Sequence, residues 1–449
     1  MNLTQDPIPE LIRRIAIPAS IGFFFNTMYN IVDTYFGGLL SKDALAGMSI
    51  SFPMFIIIIA IGSGVGQGAT ALISNAMGAG KPEKGQAYFI QSILFGVLSG
   101  LVLTVLGWIA APGLFRYLGA EGPYLDTALE FMNGIIAGSV FFVLQMTLNA
   151  VLNARGETRV FRNTLIGSFL LNCFLDPWLM YGGFGVPRMG VGGIALSTDL
   201  AQIAGCVYMF YRIRKMSLWD GVTTASFRPN WPVIREILGQ ALPASLNMVT
   251  VSLGIFVITK FVSDFGKEGV AAYGIATRIE QVILLPTIGL NFAVLSIVGQ
   301  NYGAGRMDRV RDAWVTTLRY GLIMMVVGGV LLFFCKGVMM TWFTGDKEVI
   351  RRGTDYLGIA AITQCAYVIL FQTVYMLQGM KKPMFGLWIG LYRQIAAPIA
   401  VFHLLSFTLG WGLWGVWWGV CFVTWSAALI TLGYGGMVLR DKIVHRTEE

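Results

Sequence analysis

The sequence predicts an all-α integral membrane protein in which twelve transmembrane helices form two six-helix lobes related by a parallel internal repeat. Of its 449 residues, 55% are hydrophobic and only 12% are charged, whereas a soluble domain carries about 25% charged residues. Twelve apolar segments are long enough to cross a bilayer, and short motifs recur at a nearly constant spacing. This composition excludes an ordinary soluble enzyme, a disordered chain and a nucleic-acid-binding protein.

The apolar segments follow one another with short connections. A transmembrane helix needs roughly 20 apolar residues, and no connection is long enough to form a soluble domain. The longest connection is basic and lies midway along the chain. The twelve segments span residues 15–38, 46–73, 88–111, 126–150, 163–184, 190–211, 237–262, 269–298, 320–336, 355–379, 385–406 and 411–436.

The two halves of the sequence share motifs. Pro18-Ala-Ser recurs as Pro243-Ala-Ser and Gly78-Ala-Gly recurs as Gly303-Ala-Gly, in both cases 225 residues later. Because six spans are an even number, the two halves have the same topology, as in the parallel repeats of secondary transporters. The predicted domains are an N-terminal lobe at 1–211, a cytoplasmic linker at 212–236 and a C-terminal lobe at 237–449.

The distribution of Lys and Arg predicts that both termini are cytoplasmic. Cytoplasmic loops of membrane proteins are enriched in these residues. With the N-terminus inside, 21 of the 32 Lys and Arg residues fall in cytoplasmic segments, 8 in outer segments and 3 within spans. The formal net charge of +8 is therefore explained by Lys and Arg residues in the cytoplasmic loops of a protein embedded in a lipid bilayer, and no nucleic-acid partner is expected.

Asp176 is the first candidate functional residue, because an ionisable group inside a bilayer is costly. It belongs to the motif Asn172-Cys-Phe-Leu-Asp176-Pro177. The i,i+4 spacing places Asn172 and Asp176 on one helix face, and Pro177 frees the carbonyl group of Cys173 because it has no N–H. Such oxygens suit a proton or a hard cation. The alternative is an Asp-Pro helix cap near the outer end of the span.

Asp33 is the second candidate. It lies about 8 Å below the outer end of the first segment at a helical rise of 1.5 Å per residue. By the same rise, Asp176 and Thr198 each lie about 12 Å deep, so the three side chains can share one level in the outer half of the membrane. Alternatively, Asp33 is an interfacial residue solvated by the loop at 39–45.

Other unusual residues within the spans have structural interpretations. The glycine-rich run at 62–68 lacks the strand and the Lys-Ser/Thr pair of a nucleotide-binding loop, so we expect close helix packing there. Pro18 and Pro243 either permit helix bending or begin a helix. Arg278 and Glu280 do not face each other, and we expect each to form an ion pair with another helix. Three further residues are expected to be satisfied polar core residues: Asp199, Arg393 and His403.

Cysteine and histidine usage argues against a metal centre and against an enzyme. None of the five cysteines forms a CxxC pair, so neither a metal site nor a disulfide framework is predicted. The chain has only two histidines and no Gly-x-Ser-x-Gly motif, which excludes a zinc protease and a serine hydrolase of that type. We therefore expect neither enzymatic activity nor a cofactor.

Together the motifs resemble those of the bacterial multidrug and toxic compound extrusion (MATE) family of cation-coupled exporters. The resemblance covers nearly the whole chain. A major facilitator exporter also has parallel halves, but it would need an Asp-Arg-rich loop after the second span, which residues 74–88 do not supply. The motifs that carry the resemblance are Pro18 with Asp33, Asn75-Ala-Met-Gly-Ala-Gly80, Gln300-Asn-Tyr-Gly-Ala-Gly305, Leu152-Asn-Ala-Arg-Gly156 and Asn172-x-x-x-Asp176-Pro177.

The resemblance implies roles for individual residues. It implies a bend of the first helix at Pro18 on protonation. Family members with a second cation site place acids in spans seven and ten, where this chain has only the edge acids Glu236 and Asp355, so we expect coupling in the N-terminal lobe. The implied cation-coupling residues are Asp33, Asn172, Asp176 and Thr198, with Na⁺ able to bind at the two aspartates. The implied substrate-binding residues are Tyr29, Asn149 and Asn26.

The resulting expectation is a secondary active multidrug exporter that antiports lipophilic organic cations against H⁺ or Na⁺ by alternating access. Two nearby carboxylates repel each other and burial disfavours charge, so protonation of one of them is favoured. Alternatives are a metabolite or organic-acid exporter and a lipid-intermediate flippase of the same superfamily, the latter favouring a cationic cavity. We expect a monomer in the bacterial cytoplasmic (inner) membrane, because the chain has no soluble assembly domain.

Overall fold

A computed structural model describes the backbone of residues 1–447 and the side chains of residues 1–443. Each predicted apolar segment falls in a helix, a bent helix pair or a run of short helices. Two short 3₁₀ turns, Ser217–Trp219 and Thr224–Phe227, lie in the predicted linker, and π-helical turns at Tyr392–Ala396 and His403–Thr408 flank α13. The α-helices of the described chain are α1 (Ile8–Leu40), α2 (Lys42–Gly78), α3 (Pro82–Tyr117), α4 (Gly122–Ala137), α5 (Ser139–Ala154), α6 (Thr158–Tyr181), α7 (Gly190–Ile213), α8 (Trp231–Ser263), α9 (Lys267–Gly303), α10 (Met307–Thr341), α11 (Lys347–Gly379), α12 (Met384–Leu391), α13 (Ala397–Phe402) and α14 (Leu413–Thr447).

By length and composition, the described helices include up to eleven membrane spans. Ten helical segments, with Met384–Thr408 taken as one, are long and apolar enough to span a bilayer, and α4 with α5, bent by 42°, form an eleventh. Helix α6 is long enough for the predicted twelfth crossing, because its 24 residues extend about 36 Å, which exceeds the roughly 30 Å thickness of the hydrocarbon core. It carries the polar residues Asn172 and Asp176. The predicted all-α, multi-pass membrane fold is confirmed.

The chain packs as two compact units. The N-terminal unit contains Ile17–Leu246, and the C-terminal unit contains Met1–Ala16 together with the chain from Asn247 onward. The boundaries fall inside α1 and α8, whereas the sequence analysis separates the lobes at the linker 212–236. The lobe boundaries at 211 and 237, which lie at the linker between the two repeated halves of the sequence, stay a prediction.

The start of the chain is held within the C-terminal unit by a small polar network. The side-chain amide of Asn301 donates to the carbonyl of Leu3 at 2.9 Å, and Arg309 donates to the carbonyl of Asp6 at 2.7 Å. Arg309 also donates to the side-chain oxygen of Asn301 at 3.0 Å. Leu3 and Ile12 are fully buried in the same core cluster. From there α1 continues through Pro18 as one helix.

Two equivalent helix ends give the sequence repeat a structural counterpart. Helix α2 ends before Gly80 and α9 ends before Gly305, whose φ angles are +68° and +71°. In both turns the glycine N–H donates to the carbonyl three residues earlier, at 3.1 Å for Gly80 and 3.0 Å for Gly305. Because L side chains rarely adopt this left-handed conformation, glycine is favoured at both places.

The glycine run of α2 serves helix packing, as predicted. A Cβ atom at Gly66 would lie 2.9 Å from the carbonyl oxygen of Met146 in α5. A Cβ atom at Gly64 would lie 2.5 Å from the backbone nitrogen of Ser245 in α8. Since residues two apart point to nearly opposite sides of a helix, α2 uses the run to approach α5 on one side and the N-terminal part of α8 on the other.

Several expectations for ionisable residues in the spans are wrong. Arg278 is exposed, and among the described residues neither it nor Glu280 forms an ion pair within 4.0 Å. Glu280 instead accepts hydrogen bonds from uncharged side chains. His403, the first residue of the second π-helical turn, is exposed rather than part of the core. Asp199 is buried, but its Oδ1 atom has no hydrogen-bond partner.

Candidate functional site

Three predicted site residues share one face of α1. Asn26, Tyr29 and Asp33 are spaced at i, i+3 and i+7, which aligns them along the helix. Tyr29 and Asp33 are buried, at 5% and 8% relative exposure, whereas Asn26 is half-buried. This helix face therefore carries a phenol and a carboxyl group into the core of the N-terminal unit.

Helices α6 and α7 supply the second part of the site. Asn172 donates from its side-chain nitrogen to Asp176 Oδ1 at 3.0 Å and to Ser197 Oγ at 3.1 Å. Both amide hydrogens of Asn172 are thereby used, and the predicted pairing of Asn172 with Asp176 on one helix face is present. Asn172, Asp176 and Ser197 are all fully buried.

Asp33 joins this cluster from α1. Thr198 donates its hydroxyl to Asp33 Oδ2 at 3.4 Å, and the Asp33 carboxyl group lies within electrostatic range of Asp176. We call Asp33, Asn172, Asp176, Ser197 and Thr198 the acidic cluster. The structure thus brings together all four predicted cation-coupling residues, although a role in coupling stays a prediction.

The acidic cluster has free acceptor oxygens and no basic partner. Within the described part of the chain, no Lys, Arg or His side chain lies within 4.0 Å of Asp33 or Asp176. The side-chain oxygens Oδ1 of Asp33, Oδ1 of Asn172 and Oδ2 of Asp176 are buried without hydrogen-bond donors. A buried carboxylate is stable only when it is neutralised or paired. Oxygen acceptors of this kind suit a proton or a hard monovalent cation.

The close approach of α6 and α7 depends on Gly193. A Cβ atom at this position would lie 2.7 Å from the carbonyl carbon of Leu179, so a side chain would push the helices apart. We expect Gly193→Ala to lower the stability of the purified protein by about 1–3 kcal/mol, the usual effect of overpacking. Thermal unfolding in detergent measures the change.

Gly167→Ala is the matched control for this prediction. Gly167 lies in α6, and a Cβ atom there would meet nothing within 4 Å. The control should unfold at or slightly above the wild-type temperature, because alanine favours helix more than glycine does. Equal unfolding temperatures for Gly193→Ala and Gly167→Ala would contradict the packing argument.

Two residues near the acidic cluster were missed or misjudged by sequence reasoning. Ser197 accepts from Asn172 and could have been suspected only because it precedes Thr198. Asp199 packs against Gly138, at the bend between α4 and α5, where a Cβ atom would lie 1.7 Å from Asp199 Oδ1. The glycine therefore makes room for this buried carboxyl group.

The predicted substrate-binding residues are only partly brought together. Tyr29 lies within electrostatic range of Asp33, so it borders the acidic cluster, and its buried hydroxyl group has no hydrogen-bond partner among the described residues. Asn149 is buried in α5, and its side-chain oxygen has no hydrogen-bond donor. Among the described residues, no hydrogen bond joins the side chain of Asn149 or Asn26 to the acidic cluster.

Comparison with known families decides the assignment. The family model described as MatE matches the chain twice, over residues 18–178 and 243–401. The two matches begin 225 residues apart and together cover most of the chain, which confirms the internal parallel repeat.

The chain belongs to the MATE family of transporters. The curated relatives of this MATE protein include a probable multidrug resistance protein NorM of Thermotoga maritima, 26% identical over 78% of this chain and 76% of that protein. A FAD transporter of Shewanella oneidensis is 27% identical over 91% of this chain and 90% of its own. The multidrug export protein MepA of Staphylococcus aureus is 25% identical over 99% and 97%.

Solved structures show the same fold. A MOP superfamily transporter from Pyrococcus furiosus, described as having a binding pocket of reverse polarity, superposes with a TM-score of 0.91 at 24% identity and covers 98% of both chains. A crystal structure of MATE in the straight conformation gives the same TM-score, identity and coverage. This MATE protein is therefore a multi-pass membrane protein with the family's transporter fold.

Proposed function

We propose that this protein is a secondary active exporter that antiports lipophilic organic cations against H⁺ or Na⁺ and is not an enzyme. The observation that carries the proposal is the acidic cluster, in which Asp33 and Asp176 are buried without a basic side chain within 4.0 Å among the described residues. The relatives named as multidrug resistance and multidrug export proteins support the substrate class.

The coupling follows from charge. When Asp33 and Asp176 carry negative charge, the site attracts an organic cation, and the ring face of Tyr29 can add a cation–π contact. A proton or Na⁺ that binds the free carboxyl oxygens cancels this charge and weakens the attraction. Substrate and coupling ion therefore exclude each other, which is the requirement for antiport.

Energetics limits the stoichiometry. Exchange of one entering cation for one monovalent organic cation moves no net charge, so only the concentration gradient drives it. A second entering cation adds about 2.3 kcal/mol for each 100 mV of membrane potential. The proposed setting is the bacterial cytoplasmic (inner) membrane with both termini inside, where that potential and the ion gradients point inward.

A second candidate function is export of an anionic metabolite. The relative that is named a FAD transporter favours it, because it is similar over 91% of this chain. FAD carries phosphate charges that the acidic cluster would repel. This function would therefore need a binding site elsewhere in the protein, and FAD efflux can be assayed in the same preparation as cation efflux.

The test is efflux of ethidium from proteoliposomes that contain the purified protein. We expect an inward pH gradient or an inward Na⁺ gradient, imposed separately, to accelerate efflux over that from protein-free liposomes. An ionophore that collapses the effective gradient should remove the acceleration. If neither gradient drives ethidium efflux and FAD efflux is observed, the metabolite function replaces the proposed one.

A further inference from the structure

The C-terminal unit contains a cavity of about 180 Å³ that involves no residue of the acidic cluster. Its wall is formed by α8, α9, α11, α13, α14 and the π-helical turn at Tyr392–Ala396, and most of its lining side chains are aliphatic or aromatic. Two ionisable side chains of opposite charge, Glu280 and Arg393, also line it. Since a cavity of about 150 Å³ accommodates a benzene molecule, this one has room for a single substituted ring.

Glu280 forms the acidic end of this cavity. Its side chain is 5% exposed, and Oε2 accepts a hydrogen bond from the hydroxyl group of Tyr356 at 2.9 Å. Oε1 accepts a longer bond from the side-chain nitrogen of Gln364 at 3.4 Å. In the described part of the chain no basic side chain lies within 4.0 Å of it. The carboxyl group is thus held in place, but no positive group touches it.

Arg393 forms the basic end. Its guanidinium carbon lies 5.4 Å from the ring centroid of Tyr367 and 5.8 Å from that of Phe371. These two rings are stacked, with their centroids 6.0 Å apart, and together they form an aromatic surface against which the guanidinium group packs. A guanidinium group held on ring faces keeps its N–H donors available for a carboxylate. None of the described carboxyl groups lies within 4.0 Å of it.

The two charges influence each other without touching. Arg393 acts electrostatically on Glu280, yet the pair is absent from the ion pairs of the described residues. A ligand with only a positive group would leave the half-buried Arg393 uncompensated, and a ligand with only a negative group would leave the buried Glu280 uncompensated. An unpaired buried charge is strongly unfavourable. The arrangement favours a ligand that brings both charges.

We propose that this cavity binds a small aromatic zwitterion, with its ammonium group at Glu280, its carboxylate at Arg393 and its ring among the aromatic side chains. The cavity would thus bind zwitterions, a class of ligand that the acidic cluster does not select. It lies entirely within the C-terminal unit, so its existence does not depend on the proposed cation coupling.

Three probes with the same ring and different charges test the proposal. Benzoate is an anion, benzylammonium is a cation, and 4-(aminomethyl)benzoate is a zwitterion at neutral pH. Binding to the purified full-length protein is measured by calorimetry without any ion gradient. We expect the zwitterion to bind about tenfold more tightly than either singly charged probe, because it gains a second charge-assisted hydrogen bond.

Substitutions at the two ends identify the site. We expect Arg393→Gln and Glu280→Gln each to weaken zwitterion binding by about tenfold or more. Arg393→Lys keeps the positive charge and should lose only a few-fold, which separates loss of binding from loss of folding. Lys260→Gln is the matched control, because Lys260 belongs to the same unit and its side chain is 68% exposed.

Two outcomes would overturn the proposal. One is that 4-(aminomethyl)benzoate binds no more tightly than benzoate and benzylammonium. The other is that Arg393→Gln and Glu280→Gln, purified as folded proteins, bind it as tightly as Lys260→Gln does. Since no gradient is applied, a failure of the coupling mechanism leaves this measurement unaffected.

Discussion

Replacing either Asp33 or Asp176 by asparagine is expected to reduce gradient-driven ethidium efflux to less than about a tenth of the wild-type rate. The amide has nearly the size of the carboxyl group, but it can neither take up a proton nor hold a cation by charge. A hydrogen bond to a charged group contributes about 1.5–3 kcal/mol, which corresponds to at least tenfold in rate or affinity. The measurement is initial efflux from proteoliposomes under the gradient that drives the wild-type protein.

The double variant makes the prediction sharper. Because both carboxyl groups belong to one buried cluster, their effects should not add, and Asp33→Asn with Asp176→Asn should be no slower than either single variant. Asp43→Asn is the matched control: Asp43 is an exposed acid in the first turn of α2, and its loss should leave efflux unchanged. Near-normal efflux from both single variants at wild-type expression would exclude coupling at the acidic cluster.

The second large effect is expected when Gly64 is replaced by a larger residue. This substitution should lower the stability of the protein rather than alter the chemistry of transport. A Cβ atom there would lie 2.5 Å from the backbone nitrogen of Ser245 and 2.8 Å from the carbonyl oxygen of Ala241. Backbone atoms cannot rotate away, so a side chain forces α2 and α8 apart. We expect Gly64→Ala to cost about 1–3 kcal/mol and Gly64→Val to cost more, measured as lowered thermal unfolding temperatures of the purified protein.

A glycine on the facing helix provides the comparison. Gly239 lies in α8, and a Cβ atom there would meet nothing within 4 Å. Gly239→Ala should therefore be neutral or slightly stabilising, since alanine is the better helix former. If Gly64→Val unfolds at the same temperature as Gly239→Ala, the close contact between α2 and α8 is not present in the protein in solution.

The prediction from sequence succeeded where the signal is local. Every apolar segment became helical, and the glycine run of α2 proved to be a packing surface, because hydropathy and side-chain size act within a few residues. The pairing of Asn172 with Asp176 followed from helical spacing alone. The ion pairs expected for Arg278 and Glu280 are not formed among the described residues, because the partners of an isolated charge lie on other helices that the sequence does not place.

The acidic cluster combines features that the sequence determines with contacts that only the tertiary structure determines. The sequence by itself determined the all-helical membrane fold, the repeat and the presence of buried acids, since composition, periodicity and spacing are properties of the chain. Only the tertiary structure decided which side-chain oxygens of the acidic cluster lie close to one another. Thr198 and Asp33 are 165 residues apart in the chain, and Ser197 completes the set without any motif of its own. Their contact arises from the packing of α1, α6 and α7, which depends on the close approach at Gly193 and on the fit of many side chains together.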